Sequence, residues 1–459
     1  MTTLKCTSPV DGSVFAERPI ATTKQAADLI AKARAAQPDW AARPIQERID
    51  MVRAGIKRLG EMNDDVVLEL AQMMGRPVRY GGEFKGVNER ANHMADIAVQ
   101  ALEPIIVEHS DAFERRIERV PHGLVFVIAP WNYPYMTAVN TVVPALISGN
   151  TVMLKHASQT VLVGERMVQA FTDVGIPKDV FINIFLDHDT TSSLINANNF
   201  DFVNFTGSVG GGQAIERAAA GTFTGLGLEL GGKDPGYVME DANVEDAVET
   251  LIDGAMFNSG QSCCGIERIY VVADLYENFV EKAVKIVSNY TLGNPLNKET
   301  DIGPMAHERF ANIVRAQIAD AITQGATPMI DKSHFPQDDG GAYLAPQILT
   351  NVTHDMTIMH EETFGPVVGI MKVKDDATAT KLMNDCDYGL TASLWTNDVE
   401  RANRIGRQLQ TGTVFMNRAD YVDPGLCWTG CKGTGRGGAL SIIGYHNLTR
   451  PKSYHLKKA

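Results

Sequence analysis

The apolar positions of this chain change their spacing twice, and each change predicts a different kind of structure. Through the first hundred residues they recur at helical intervals. Thr22 and Gln25 have the spacing of a capping box, and Leu29, Ile30, Ala33 and Ala36 follow on one helical face. Further helical patterns run over about 45–59 and 64–74, where Gly75 and Pro77 stop the second. Residues 112–120 alternate charged with apolar side chains (Phe113, Ile117, Val120), which predicts a solvent-facing strand. From Gly123 onward, short continuous apolar runs appear at 124–129, 151–154, 181–185 and 202–205. Helix-length stretches such as 160–174 separate them. That alternation predicts a buried parallel sheet of βαβ units, the class of fold that includes nucleotide-binding domains. A second alternating region follows Gly232, with helices expected over 244–257, 275–290 and 307–324 and a strand over 268–272. A glycine-rich stretch at 430–438 precedes a tail, 448–456, with the character of an edge strand. No internal repeat or low-complexity tether divides the two halves.

Composition narrows the class. At 459 residues the chain is too long for one ordinary core, so two or three sub-domains are expected. Lys plus Arg number 42 against 55 Asp plus Glu, a net charge of −13 that excludes a broad positive surface for nucleic acid or anionic membrane. Six cysteines make no disulfide framework, and Cys427 and Cys431 lack a second cluster to complete a zinc site, so no metal is expected. Free thiols, residues 1–19 without a signal-peptide core and no run of ~20 apolar residues together predict a cytoplasmic protein.

Candidate chemistry is concentrated in a few segments. In Asn258-Ser259-Gly260-Gln261-Ser262-Cys263-Cys264 a glycine-containing turn can expose the Cys263 sulfur, and a nearby helix N-terminus would stabilise its thiolate. Two small core thiols beside a turn is the other reading. Glu229, in Leu228-Glu229-Leu230-Gly231-Gly232-Lys233, is either a desolvated general base or a strand-end carboxylate paired with Lys233. Pro130 and Pro134 bracket Trp131-Asn132-Tyr133, so the Asn132 amide is either an oriented oxyanion donor or part of a rigid turn. Phe205-Thr206-Gly207-Ser208-Val209-Gly210-Gly211-Gly212 places glycines at a strand-to-helix turn, where a pyrophosphate can approach backbone N–H groups. It matches neither GxGxxG nor a Walker loop. Lys155 at a strand end and Glu362 in Glu361-Glu362-Thr363-Phe364-Gly365-Pro366 are ordinary taken singly.

In chain order these segments run Pro-Trp-Asn, Lys155, Phe-Thr-Gly-Ser, Glu-Leu-Gly-Gly-Lys, Gly-Gln-Ser-Cys and Glu-Glu-Thr-Phe-Gly-Pro. That order, at these separations, resembles the NAD(P)-dependent, non-acylating members of the aldehyde dehydrogenase superfamily over nearly the whole chain. The resemblance implies an α/β fold with a Rossmann-like cofactor domain (1–102 and 122–231), an α/β catalytic domain (232–434) and a small β oligomerisation element (103–121 and 435–459). It implies Cys263 as nucleophile, Glu229 as general base, and Asn132 with the Cys263 backbone N–H as oxyanion hole. It likewise implies cofactor contacts from Trp131, Lys155, Ser158, Gly207, Ser208, Gly212, Glu362 and Phe364, and a homodimer or homotetramer.

Two departures from the family pattern bear on the cofactor. Ser158 stands three residues after Lys155, where many NAD-preferring members carry glutamate. A hydroxyl there tolerates a 2′-phosphate that a carboxylate would repel, so NADP is expected to be accepted alongside or ahead of NAD. The loop Leu186-Asp187-His188-Asp189 lacks the glycine many members place near the adenosine. By the same similarity Tyr133, Met136, Thr137, Cys264, Tyr421 and Val422 would line the substrate pocket. Their apolar and aromatic character leads to an apolar or aromatic aldehyde ahead of a semialdehyde, with Arg418 and Arg268 the candidates to hold a second carboxylate. The rivals are an acylating dehydrogenase, against which Glu229 argues, a nucleotide-storing protein, and a cysteine hydrolase, for which no histidine lies near Cys263 in sequence.

Overall fold

The computed structural model describes residues 3–419 and 421–458. Two parallel sheets organise it, and they correspond to the two alternating regions of the sequence. The first has six strands in the order Gly435–Arg436, Gly225–Glu229, Phe202–Thr206, Leu124–Ala129, Thr151–His156 and Phe181–Asn183. All neighbours are parallel except Gly435–Arg436, which runs antiparallel to Gly225–Glu229. Leu124–Ala129 is buried at every position, as a central strand covered on both faces must be. The second sheet has seven strands, with Ile266–Val272 and Asp234–Val238 at its middle. Its strands are parallel except Thr327–Pro328 at one edge.

The helical N-terminal segment packs on the first sheet. Thr22 caps helix Thr23–Ala42 in the expected box with Gln25. Helices Ile45–Gly60, Asn63–Met74 and Phe84–Ala101 follow, and Trp40 anchors the first of these four by donating its indole N–H to Leu146 O at 2.9 Å. The expectation of helix through the first hundred residues is wrong for the start of the chain. Thr3–Thr7 and Val14–Pro19 form an antiparallel hairpin in which Cys6 is buried opposite Ala16. Lys5 pairs with Glu17 across it, and Gly12 turns the chain at φ 76°.

The solvent-facing strand is Phe113–Pro121 and the tail strand Thr449–Lys457, and they pair antiparallel along their whole length. Ile105–His109 completes that three-stranded sheet, with Ile105, Ile106 and Val107 exposed. Among the described residues no helix is long and apolar enough to cross a membrane.

Candidate active site

A cavity of about 510 Å³ opens between the two sheets. Its wall carries Cys263 and Cys264, Glu229 and Thr206, and Tyr133, Met136 and Thr137. Tyr421, Val422 and Arg418 close one side. The structure therefore brings the expected nucleophile, base and pocket residues to one enclosed surface.

The turn that presents Cys263 is held in an unusual backbone conformation. Asn258, Ser259 and Gly260 lie consecutively at φ 55°, 57° and 67°, a left-handed run that costs energy for the two non-glycine residues. Side chains over-determine it. Ser259 Oγ donates to Gly303 O at 2.9 Å, Gln261 Nε2 to Asn258 O at 3.1 Å, and Gln261 Oε1 accepts from Ala306 N at 2.8 Å. Gly260 has no alternative, since a Cβ there would stand 2.1 Å from Gly365 O. No helix starts next to Cys263 in the chain, since helix Val244–Met256 ends before the turn and strand Ile266–Val272 begins after it; the helix N-terminus that shares its cavity is that of Pro134–Ile147, whose first-turn residues Met136 and Thr137 line the same wall. The cation that faces Cys263 across the cavity is Arg90, from helix Phe84–Ala101.

Asn132 lies behind the cavity wall, 4% exposed, with its Nδ2 donating to Gln261 O at 3.1 Å. Its amide is thus tied to the backbone two residues before Cys263, and a second N–H remains on the same nitrogen. Its backbone carbonyl accepts from Arg76 Nη2 at 2.6 Å and from Asn258 Nδ2 at 3.2 Å. Arg76 also pairs with Glu83 at 2.7 Å, both side chains almost fully buried, and Glu83 in turn accepts from Met136 N at 2.7 Å. Arg76 and Glu83 escaped the sequence reading. The available signal was an arginine between Gly75 and Pro77, a place that reads only as a helix stop.

Glu229 ends strand Gly225–Glu229, where its carboxylate accepts from Thr206 Oγ1 at 3.4 Å. Burial raises its pKa to about 7, against the lowering effect of that hydrogen bond and of Arg90. The alternative pairing with Lys233 does not occur. Lys233 Nζ is bonded to Glu267 at 2.5 Å and to Thr363 Oγ1 at 2.9 Å. The two glycines after Leu230 are required by close approach: a Cβ on Gly232 would lie 2.2 Å from Cys263 O, and one on Gly231 would strike the Glu362 carboxylate. Glu362 accepts from Gly232 N at 3.1 Å, and burial lifts its pKa to about 8. Phe364, at φ 53°, meets Trp131 edge-on at 5.6 Å. Its backbone N–H and that of Thr363 both donate to Glu267.

Lys155 is the penultimate residue of strand Thr151–His156 and Ser158 follows its carboxyl end, while Gly207 and Ser208 lie just beyond that of Phe202–Thr206. Ligands bind in this position in open α/β sheets. Ser208 caps helix Val209–Ala219 through Gly211 N at 3.2 Å, and Gly212 packs so closely on Leu230 that a Cβ would fall 2.6 Å from its side chain.

Comparison with known proteins supplies the identity. The model of the aldehyde dehydrogenase family matches residues 1–454. The chain belongs to the aldehyde dehydrogenase family. It is similar to the succinate-semialdehyde dehydrogenase [NADP(+)] of Deinococcus radiodurans, at 31% identity over 97% of this chain and 93% of the relative. It is also similar to the 4,4'-diapolycopene aldehyde oxidase of a Methylomonas species, at 34% identity over 99% and 86%. Among solved structures, the NAD+ complex of an aldehyde dehydrogenase from Bacillus cereus superposes with a TM-score of 0.94 at 28% identity, covering 99% of this chain and 93% of that one. The fold is that of the family, and the protein is an enzyme of aldehyde oxidation dependent on NAD or NADP.

As an aldehyde dehydrogenase it must hold a dinucleotide, and the residues present fit one. Lys155 is 7% exposed, yet among the described residues its ammonium has no ion pair. Burial depresses its pKa, with Asp187 acting the other way, so a buried cation waits for an oxygen-rich partner. Ser158 is exposed nearby at the start of a short helical turn. Asp187, in the loop without the usual glycine, caps helix His188–Asn196 through Thr190 N at 2.7 Å. Arg268 is corrected as a substrate anchor. It is 1% exposed, and its guanidinium donates to the carbonyls of Lys233, Leu382 and Met383, away from the cavity. Arg418 does reach the cavity, stacked 3.7 Å above Tyr421. Among the described residues no group of side chains could hold a metal ion.

Proposed function

We propose that this aldehyde dehydrogenase oxidises a small aldehyde to the carboxylic acid through a thioester on Cys263. The single observation that supports this most is that Cys263 and Glu229, remote in sequence, share one cavity wall while Asn132 is tied to the Cys263 turn. Cys263 Sγ adds to the aldehyde carbonyl, forming a thiohemiacetal whose oxyanion is met by the second Nδ2–H of Asn132 and the Cys263 backbone N–H. The bound nicotinamide supplies the hydride acceptor. Glu229 then takes a proton from the water that hydrolyses the thioester, and a pKa of about 7 leaves it able to accept that proton near neutrality. A base on the same cavity wall as the thiol favours hydrolysis over transfer to a thiol carrier, and among the described residues no histidine lines the cavity to support a cysteine hydrolase.

On the cofactor side, Trp131, Phe364 and Glu362 would border the nicotinamide ribose, and Gly207, Ser208 and Gly212 the pyrophosphate. Lys155 and Ser158 would meet the adenosine ribose, where the absence of a carboxylate at position 158 admits NADP as well as NAD. The exposed strand Ile105–His109 is the edge through which we expect a homodimer or homotetramer to form. The relatives' names span semialdehydes and a long polyene aldehyde, so the walls of this cavity must decide the substrate. Purified protein given NAD or NADP and an aldehyde panel should reduce the cofactor, and Cys263→Ala should abolish it. Cofactor reduction surviving in that variant would refute the reading.

A further inference from the structure

The cavity wall contains a charge that the mechanism does not use. Arg90 lies on helix Phe84–Ala101, at positions +3 from Val87 and −4 from Met94, so it belongs to the helix's buried stripe. Its Nη1 donates to Met136 O at 3.1 Å and to Asn140 Oδ1 at 3.3 Å, both on helix Pro134–Ile147. Those bonds use the two hydrogens of Nη1 and fix the plane of the guanidinium. The Nε and Nη2 hydrogens, the edge that takes a carboxylate side-on, have no acceptor among the described residues.

No carboxylate of the described residues pairs with Arg90, although it is half-buried and lines the cavity. A guanidinium does not shed its proton inside proteins, and Arg90, unlike the more deeply buried Arg268, does not spread its donors over several backbone carbonyls, so its open edge is left for an anion. Glu229 serves poorly as that anion, because its own burial keeps it partly protonated near neutrality. The other cations of the wall are placed differently. Arg418 is stacked on Tyr421, and Lys85 is exposed at the rim. Glu89, the remaining acid of the wall, accepts from the Tyr421 hydroxyl.

We infer that the substrate of this enzyme carries a carboxylate at the end remote from its aldehyde, and that the Nε/Nη2 edge of Arg90 holds it while the aldehyde reaches Cys263. This rests on the aldehyde-oxidising reading above and names its substrate class as an ω-oxo acid. It reverses the weight given to the apolar pocket residues: Tyr133, Met136 and Val422 flank the carbon chain, and the terminal charge selects it. Arg90 comes from a different helix than the one following Pro130-Trp131-Asn132, whose inward polar group is Asn140, and Asn140 acts by orienting Arg90.

The test compares kcat/KM for ω-oxo acids, from glyoxylate through succinate semialdehyde to longer homologues, with that for uncharged aldehydes of equal length. It uses native enzyme, Arg90→Met and Arg90→Lys. The native enzyme should prefer the acids, and Arg90→Met should shrink that preference by roughly 10- to 100-fold, mainly through KM. Arg90→Lys should retain part of it. In parallel, succinate should slow alkylation of Cys263 in the native enzyme and not in Arg90→Met, with dinucleotide binding checking that each variant is folded. Should Arg90→Met not fold, the native preference and Arg90→Lys decide the matter. No native preference for acids, or an equal fall for charged and uncharged aldehydes in the variants, would overturn the inference. Oxidation of no aldehyde at all by the native enzyme would instead refute the wider functional reading.

Discussion

Arg76 and Arg90 approach the same site from neighbouring segments, and their surroundings differ in one respect. Arg76 has a buried carboxylate of its own, Glu83 at 2.7 Å, and spends its other donors on Asn132 O and Asn258 Oδ1. Arg90 has neutral partners on one nitrogen and an open edge on the other side. A buried charge that is neutralised at rest serves geometry: it locks the backbone around Asn132 and the turn before Cys263. A half-buried charge that turns an open donor edge to a cavity serves binding, the anion arriving with the ligand. In the proposed mechanism the corner around Cys263 is thus braced by protein contacts before substrate enters, while the far end is completed by substrate.

The comparison breaks most sharply at the Arg76–Glu83 pair. Replacing Arg76 alone by Met leaves Glu83 buried and uncompensated, and should cost about 3–5 kcal/mol of stability in denaturant unfolding. Replacing both by apolar residues should restore much of that stability without restoring kcat, since Asn132 has lost its brace. An Arg76→Met protein as stable as the native one would remove the distinction between the two arginines. Next in size, Asn132→Ala should lower kcat by ~10²–10³ with a smaller change in KM, measured as steady-state cofactor reduction.

The pH dependence follows from Glu229. Hydrolysis needs its carboxylate, so kcat should rise with pH up to about 7 and level above it, and Glu229→Gln should erase that limb. The sign for stability is opposite. A folded pKa of about 7 against an ordinary value of 4.5 means the folded state keeps the proton longer, so native stability falls as pH rises across that interval. Glu229→Gln should therefore stabilise most above pH 7 and hardly at all below 4.5. The smallest expected effect is at the other end of the cofactor. Ser158→Glu should weaken NADP about tenfold relative to NAD in a competition titration, through repulsion of the 2′-phosphate. Unchanged relative affinity would detach Ser158 from that ribose.

Much of this was legible in the sequence because the relevant signals are local. The apolar run at Leu124–Ala129, the capping box at Thr22 and the glycines beside Glu229 and Cys263 each sit within a few residues of the feature they specify. The opening hairpin was not legible, because Thr3–Thr7 is short and half exposed, and only its pairing with Val14–Pro19 makes it a strand. Arg268 misled for a similar reason: a strand arginine looks available until the carbonyls of Leu382 and Met383 are brought to it by the fold. Arg90 carried a readable mark, a charge on the apolar stripe of its helix, but its meaning depends on Asn140 and the cavity, which are remote in the chain.

In the proposed reaction Cys263 carries the acyl group and Glu229 releases it as acid. The most direct test is intact and peptide mass of Glu229→Gln enzyme, quenched in acid after mixing with aldehyde and dinucleotide. A first turnover should yield reduced cofactor stoichiometric with enzyme, and an acyl adduct on the peptide containing Cys263. An adduct confined to another residue, Cys264 included, or undiminished steady turnover without any adduct, would contradict it.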